Sequence, residues 1–198
     1  MDSPDATAAV LTAIDDHAAT IAPLPALAPV IAHAARVLCQ SLASGGQLLF
    51  CGNGGSAADA QHLAAELTGR FLKERRAFPA IALHANTSAL TALGNDLGFE
   101  AVFSRQVEAH GRPGDVLVAI STSGRSPNVL RAAETARRLG LAVVGLSGGN
   151  GDPLAAACDV CVTVPSANTA RVQEAHILVG HIICGLVEDV LCPEAPRV

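Results

Sequence analysis

Two short stretches of the 198-residue chain place glycine and hydrogen-bonding side chains directly after an apolar run. STSGRS at 121–126 follows DVLVAI, and CGNGGS at 51–56 follows QLLF. In STSGRS four of six residues carry hydroxyls: Ser121, Thr122, Ser123 and Ser126. Gly124 permits an unusual backbone angle, and the helix that follows opens with outward N–H groups. Hydroxyls at the positive end of a helix suit a phosphomonoester. The plain alternative is Ser126 as an N-cap with Pro127 at the first helical position. That accounts for Ser126 but not for Ser121, Thr122 and Ser123 together. CGNGGS has the same placement, with Ser56 as a candidate N-cap. It lacks GxGxxG spacing and no GKS or GKT lysine follows, so a nucleotide is not indicated.

The helices carry the remaining polar candidates. His62 and Glu66 are four residues apart, one turn and about 6 Å along a helix, so both lie on one face. Such a pair ligates a metal, acts as acid and base, or is an ordinary surface pair. Near the C-terminus RVQEAHILVGHIICGLVEDV sets Gln173, His176 and His181 among Ile, Leu and Val. Flanked by Val179 and Ile182, His181 is expected to be buried and to have a partner, because an unpaired buried imidazole is costly. Gln173 and His181 are separated by about 12 Å of helical rise. Both reach one ion only near the limit of their side chains, across a bend, or with one supplied by a neighbouring subunit.

The elements that position these residues follow from pattern. Ala-rich helical spacing predicts helices over 5–20 and 29–44, with Pro29 in the first turn of the second and Gly45-Gly46 ending it. Short apolar runs then alternate with helical segments. The strands are QLLFCG, AIALHA, DVLVAIS, LAVVGLSG and DVCVTVP. The helices are expected over 56–71, 88–93, 101–110, 126–139 and 169–191, with a short PLAAA helix before the last strand. Strands without polar alternation, separated by helices, predict an α/β three-layer sandwich around a five-stranded parallel sheet. We read one domain over 1–198: an N-terminal helical region to residue 45, then an α/β core with a long C-terminal helix. Ligands in such sheets bind at the carboxyl ends of the strands, where both glycine turns fall.

Composition excludes several classes. Half the residues are hydrophobic and 16% are charged, which argues against disorder. A net charge of −5 gives no basic footprint for nucleic acid, and with no Trp or Tyr and five Phe, recognition by stacking is not expected. Six cysteines, mostly inside apolar runs, read as small hydrophobes, and Cys158/Cys161 is a lone CxxC without the second pair a zinc site needs. The acidic N-terminus lacks signal-peptide order, and no apolar run reaches the roughly 18 residues needed to span a bilayer. A cytoplasmic protein with no membrane partner is the expectation.

Four segments in order, GNGGSAADAQHLAAEL, GND at 94–96, STSGRSPNVLRA and ARVQEAHILVGH, resemble the phosphoheptose isomerases of the SIS (sugar isomerase) fold, a flavodoxin-like architecture. The likeness runs from about residue 28 to 191. It implies a metal-dependent isomerisation of sedoheptulose 7-phosphate to D-glycero-D-manno-heptose 7-phosphate through an enediol, in heptose precursor biosynthesis such as that of lipopolysaccharide. It also implies a homotetramer with sites at subunit interfaces and one divalent ion, usually zinc, per subunit. By position it assigns Asn53, Gly54, Gly55, Ser56, Glu66, Asn95, Asp96 and Gln173 to the substrate. Ser121, Thr122, Ser123 and Ser126 would hold its phosphate, and His62, Glu66, Gln173 and His181 the metal. Glu66 and His181 are the implied acid–base pair, while His176 has no assigned role and reads as structural. Some members carry an aspartate where this chain has Ala170. A non-enzymatic regulator of the same fold, which binds the bacterial replication initiator, shares the glycine loop, the STSG loop and the HxxxE pair. It lacks the second helix-borne histidine, so His181 favours the enzyme.

Overall fold

A computed structural model describes residues 4–198. The five strands are β1 (Leu48–Cys51), β2 (Ala80–Ala82), β3 (Val116–Ser121), β4 (Ala142–Gly148) and β5 (Val160–Val164), all parallel, in the order β2-β1-β3-β4-β5. The helices are α1 (Pro4–Ile21), α2 (Ala28–Ala43), α3 (Gly55–Thr68), α4 (Thr87–Leu97), α5 (Ser104–His110), α6 (Pro127–Arg138), α7 (Leu154–Ala157) and α8 (Thr169–Leu191). One face of the sheet, including Leu48, Phe50, Val118 and Leu146, packs on α2, α3 and α8. The opposite face, including Leu49, Leu117 and Val143, packs on α5, α6 and α7. Because β3 and β4 are buried on both faces, neither shows the apolar–polar alternation of a half-exposed strand.

This is the three-layer sandwich that the sequence predicts, with the doubly wound order of flavodoxin-like folds. The chain reverses direction across the sheet between β1 and β3, which opens a crevice at their carboxyl ends. Both glycine turns open onto that crevice. Several boundaries differ from the sequence reading. AIALHA shortens to Ala80–Ala82, an edge strand on which Ile81 is exposed. Helix α4 continues to Leu97, so Asn95 and Asp96 lie in its last turn rather than beyond it. The segment read as one helix over 101–110 divides into a 3-10 turn at Phe99–Ala101 and α5. Ser56 is inside α3 and Gly54 takes the N-cap position. Gly54 has φ +56° and ψ −121°, open to glycine and strained for other residues.

By length and composition the stretch Ala6–Ala43 is apolar enough to cross a bilayer. A 3-10 turn at Leu24–Leu27 interrupts it, and α2 buries Ile31, Leu38 and Leu42 in the core. Cys158 and Cys161 are free thiols that both lie over Gly145, leaving no room there for a side chain.

Candidate active site

Helices α3 and α8 lie side by side, and their contacts advance together along both. Gly55 faces Gln173: a Cβ on Gly55 would stand 2.5 Å from the Gln173 Nε2. Two turns on, Gly180 faces Leu63, whose Cδ atoms would be 2.6 Å from a Cβ on Gly180. At that close approach His62 and His181 meet, Nε2 to Nε2 3.0 Å. Glu66 Oε1 is 3.1 Å from His62 Nε2, with the Glu66 side chain 23% exposed and that of His62 49% exposed. One ligand atom from each of His62, Glu66 and His181 lies within 4.8 Å of the others.

Two imidazole nitrogens and a carboxylate oxygen are a borderline-soft donor set suited to zinc. Ligand atoms around a tetrahedral zinc with bonds near 2.0–2.1 Å are about 3.3 Å apart, close to the two contacts here. The three side chains therefore fit a divalent ion without rearrangement of the helices. Gln173 stands about 12 Å up α8 from His181 by helical rise, against Gly55. His181 is half-buried, not enclosed as the sequence suggests, because its neighbour Ile182 faces outward at 41% exposure. His176 is the buried one, its Nε2 3.0 Å from the carbonyl oxygen of Ser147.

The STSGRS turn is a compact cradle. Ser121 and Ser126 hydroxyls are 3.0 Å apart, and Arg125 N–H donates to the Ser123 hydroxyl at 3.2 Å. Ser126 occupies the N-cap position of α6 without a side-chain capping bond, so its hydroxyl faces Ser121 instead. Gly124 has φ +66°, and a Cβ there would lie 2.6 Å from the Gly151 carbonyl oxygen. The two turns are tied together by a reciprocal amide pair: Asn53 Nδ2 donates to Asn128 Oδ1 and Asn128 Nδ2 to Asn53 Oδ1, both at 2.8 Å. Asn95 and Asp96 are exposed and bonded to each other at 2.7 Å.

Sequence reasoning missed three participants. Asn128 carries no local signal, since its partner is 75 residues away. Phe71 stacks on His181, ring centroids 5.2 Å apart and planes at 10°. Asp59 precedes His62 by three residues, a helical register that could have drawn attention to it. Burial pushes its carboxyl up to about 6, opposed by the nearby His62, and its Oδ2 is buried without a hydrogen-bond partner among the described residues.

The SIS domain profile matches residues 15–148. A phosphoheptose isomerase of Rhodospirillum rubrum is 64% identical over 165 residues, covering 83% of this chain and 88% of the relative. The structure of a phosphoheptose isomerase from Neisseria gonorrhoeae superposes with a TM-score of 0.88 at 44% identity, covering 92% of this chain and 98% of that one. One from Francisella tularensis gives 0.86 at 39% identity, covering 96% and 100%. The chain belongs to the phosphoheptose isomerases of the SIS-domain family.

Proposed function

We propose that this chain converts sedoheptulose 7-phosphate to D-glycero-D-manno-heptose 7-phosphate. The observation that carries the reading is the convergence of His62, Glu66 and His181 on one point, on helices that adjoin the crevice where the two glycine turns meet. An aldose–ketose isomerase needs a base, a second proton carrier and an anchor for the remote phosphate. The residues present supply all three.

Ser121, Thr122, Ser123 and Ser126, with the first-turn N–H groups of α6, hold the phosphate and fix the far end of the sugar. Asn53, Gly54, Gly55 and Ser56 line the carbonyl end, and the Asn53–Asn128 pair sets the spacing between the two turns. Asn95, Asp96 and Gln173 complete the substrate contacts. Glu66 takes the proton from C1 of the open-chain ketose and returns it at C2. His181 moves a proton between the two oxygens as the enediol forms and collapses. His62, Glu66 and His181 would hold a divalent ion, zinc by donor type, with Gln173 as the fourth ligand after side-chain movement or from a neighbouring subunit. Because a coordinated carboxylate is a weaker base, either Glu66 would shift its ligation during turnover or the ion would be mainly organisational. Such an ion supplies Lewis acidity toward the developing enediolate oxygens.

A homotetramer is supported by exposed apolar side chains on α1 (Val10, Leu11 and Ile14) and on α8 (Leu178 and Ile182), which a subunit contact would cover. The test is turnover: metal-replete protein incubated with sedoheptulose 7-phosphate is expected to yield a heptose 7-phosphate. No turnover, together with tight binding to a replication initiator, would replace the enzyme with the regulator of the same fold.

A further inference from the structure

The connector between α3 and β2 brings the Phe71 ring to His181 and is itself anchored by a buried ion pair. Arg75 Nε and Glu188 Oε1 are 2.9 Å apart, each side chain 1% exposed. Such a pair persists only where its remaining polar atoms are satisfied, because burial removes both charges from water. Here Glu188 also accepts from the N–H groups of Phe71 and Leu72, at 2.9 and 2.8 Å. Arg75 donates to the carbonyl oxygens of Glu66, Leu67, Gly69 and Arg76, at 2.8, 2.9, 3.0 and 3.0 Å. The first two are last-turn carbonyls of α3, which have no partner within the helix. Arg75 thus grips the backbone of Glu66 itself, while Glu188 sits two turns beyond His181 on α8.

The same carboxylate fixes the backbone of Phe71, whose ring lies flat on His181. On another side His62 meets the His181 ring edge-on, centroids 5.1 Å apart at 60°. The imidazole is therefore confined between an aromatic face and the other histidine.

We propose that Phe71 is a positioning residue for His181, and that the Arg75–Glu188 pair sets Phe71 in place while holding α3 against α8. The inference rests on the reading of His181 as a working group of the site. An imidazole turns freely about its last side-chain bond unless something flat opposes it. A ring displaced by about 1 Å can cost on the order of a hundredfold in rate.

The test compares Phe71→Leu, Phe71→Tyr and Glu188→Gln with wild type in four readouts: kcat, KM, zinc affinity by chelator competition, and the His181 ring resonances by NMR. Phe71→Leu is expected to lower kcat about tenfold with KM within about twofold. It should also weaken zinc binding several-fold and shift the His181 resonances, while the Tm moves by only a few degrees. Phe71→Tyr restores all of these, and Glu188→Gln reproduces the Phe71→Leu pattern. If Glu188→Gln does not fold, the Phe71 pair decides. Phe71→Leu with wild-type kcat and unmoved His181 resonances overturns the proposal. Absence of turnover in the wild type is a failure of the isomerase reading instead, and the resonances with the zinc competition then decide the positioning claim alone.

Discussion

His62 and His181 are 119 residues apart in the chain and 3.0 Å apart between their Nε2 atoms. The contact depends on the pair beside it, because Gly180 lets Leu63 press against the α8 backbone. A side chain at 180 would have to displace the buried Leu63 side chain or part α3 from α8 at the point where His62, Glu66 and His181 converge. Gly180→Ala is expected to cost about 1–3 kcal/mol by overpacking and to weaken zinc binding. Denaturant unfolding and chelator competition measure the two effects, and unchanged zinc affinity would show that the helix gap does not set the cluster.

Removing either member of the proposed acid–base pair should remove turnover and leave the fold. Glu66→Gln and His181→Ala are each expected to lower kcat by at least about 10²–10⁴-fold. Both side chains are partly exposed, so the circular dichroism spectrum should stay that of the wild type. A steady-state assay on folded variants decides it; near wild-type kcat in either would displace that residue from the chemistry.

The proposed phosphate cradle makes a separate prediction. Gly124→Ala places a Cβ 2.6 Å from the Gly151 carbonyl oxygen and 2.8 Å from the Ser147 hydroxyl, at φ +66°. Strain of roughly 1–3 kcal/mol is expected, together with a raised KM. Inorganic phosphate should compete less well against substrate in this variant, and an unaltered inhibition constant would place the phosphate elsewhere.

Stability should fall toward acid because of His176. Burial holds its pKa below 6.5, with the hydrogen bond to the Ser147 carbonyl partly opposing. Its folded-state pKa lies below the unfolded value of about 6.5, so the unfolded chain binds the extra proton in that window. The contribution is present above about pH 6.5 and is lost as pH falls toward the folded-state pKa. Urea unfolding across about pH 5–7 should show a steeper slope in wild type than in His176→Gln; equal slopes would mean that His176 is not the group responsible.

Much of the fold was legible because α/β patterning is local. Continuous apolar runs separated by helical segments specify a parallel sheet covered on both faces, and the order of motifs places both glycine turns at one end of it. The positive φ of Gly124 and the departure of Ser126 from plain capping follow from the type and density of residues in one short turn. His62 and Glu66 were readable as a pair because one helical turn joins them. Element ends were less legible: α4 continues through Asn95 and Asp96 because nothing in GND stops a helix, and Gly98, at φ +82°, does so two residues later.

What the sequence by itself determined, then, is the chemistry on offer: a hydroxyl-rich turn before a helix, a His–Glu pair on one face, and a second histidine in the last helix. Tertiary structure alone decided which of these groups meet. His181 joins His62 and Glu66, whereas Gln173, on the same helix, lies against Gly55, because α8 follows α3 and presents successive turns to successive turns. Asn128, Phe71 and Glu188 enter the site or its support only through partners 75 to 117 residues away in the chain or by ring stacking across it. No periodicity records such contacts, since helix and strand patterns specify which face of an element is buried and not which element will cover it.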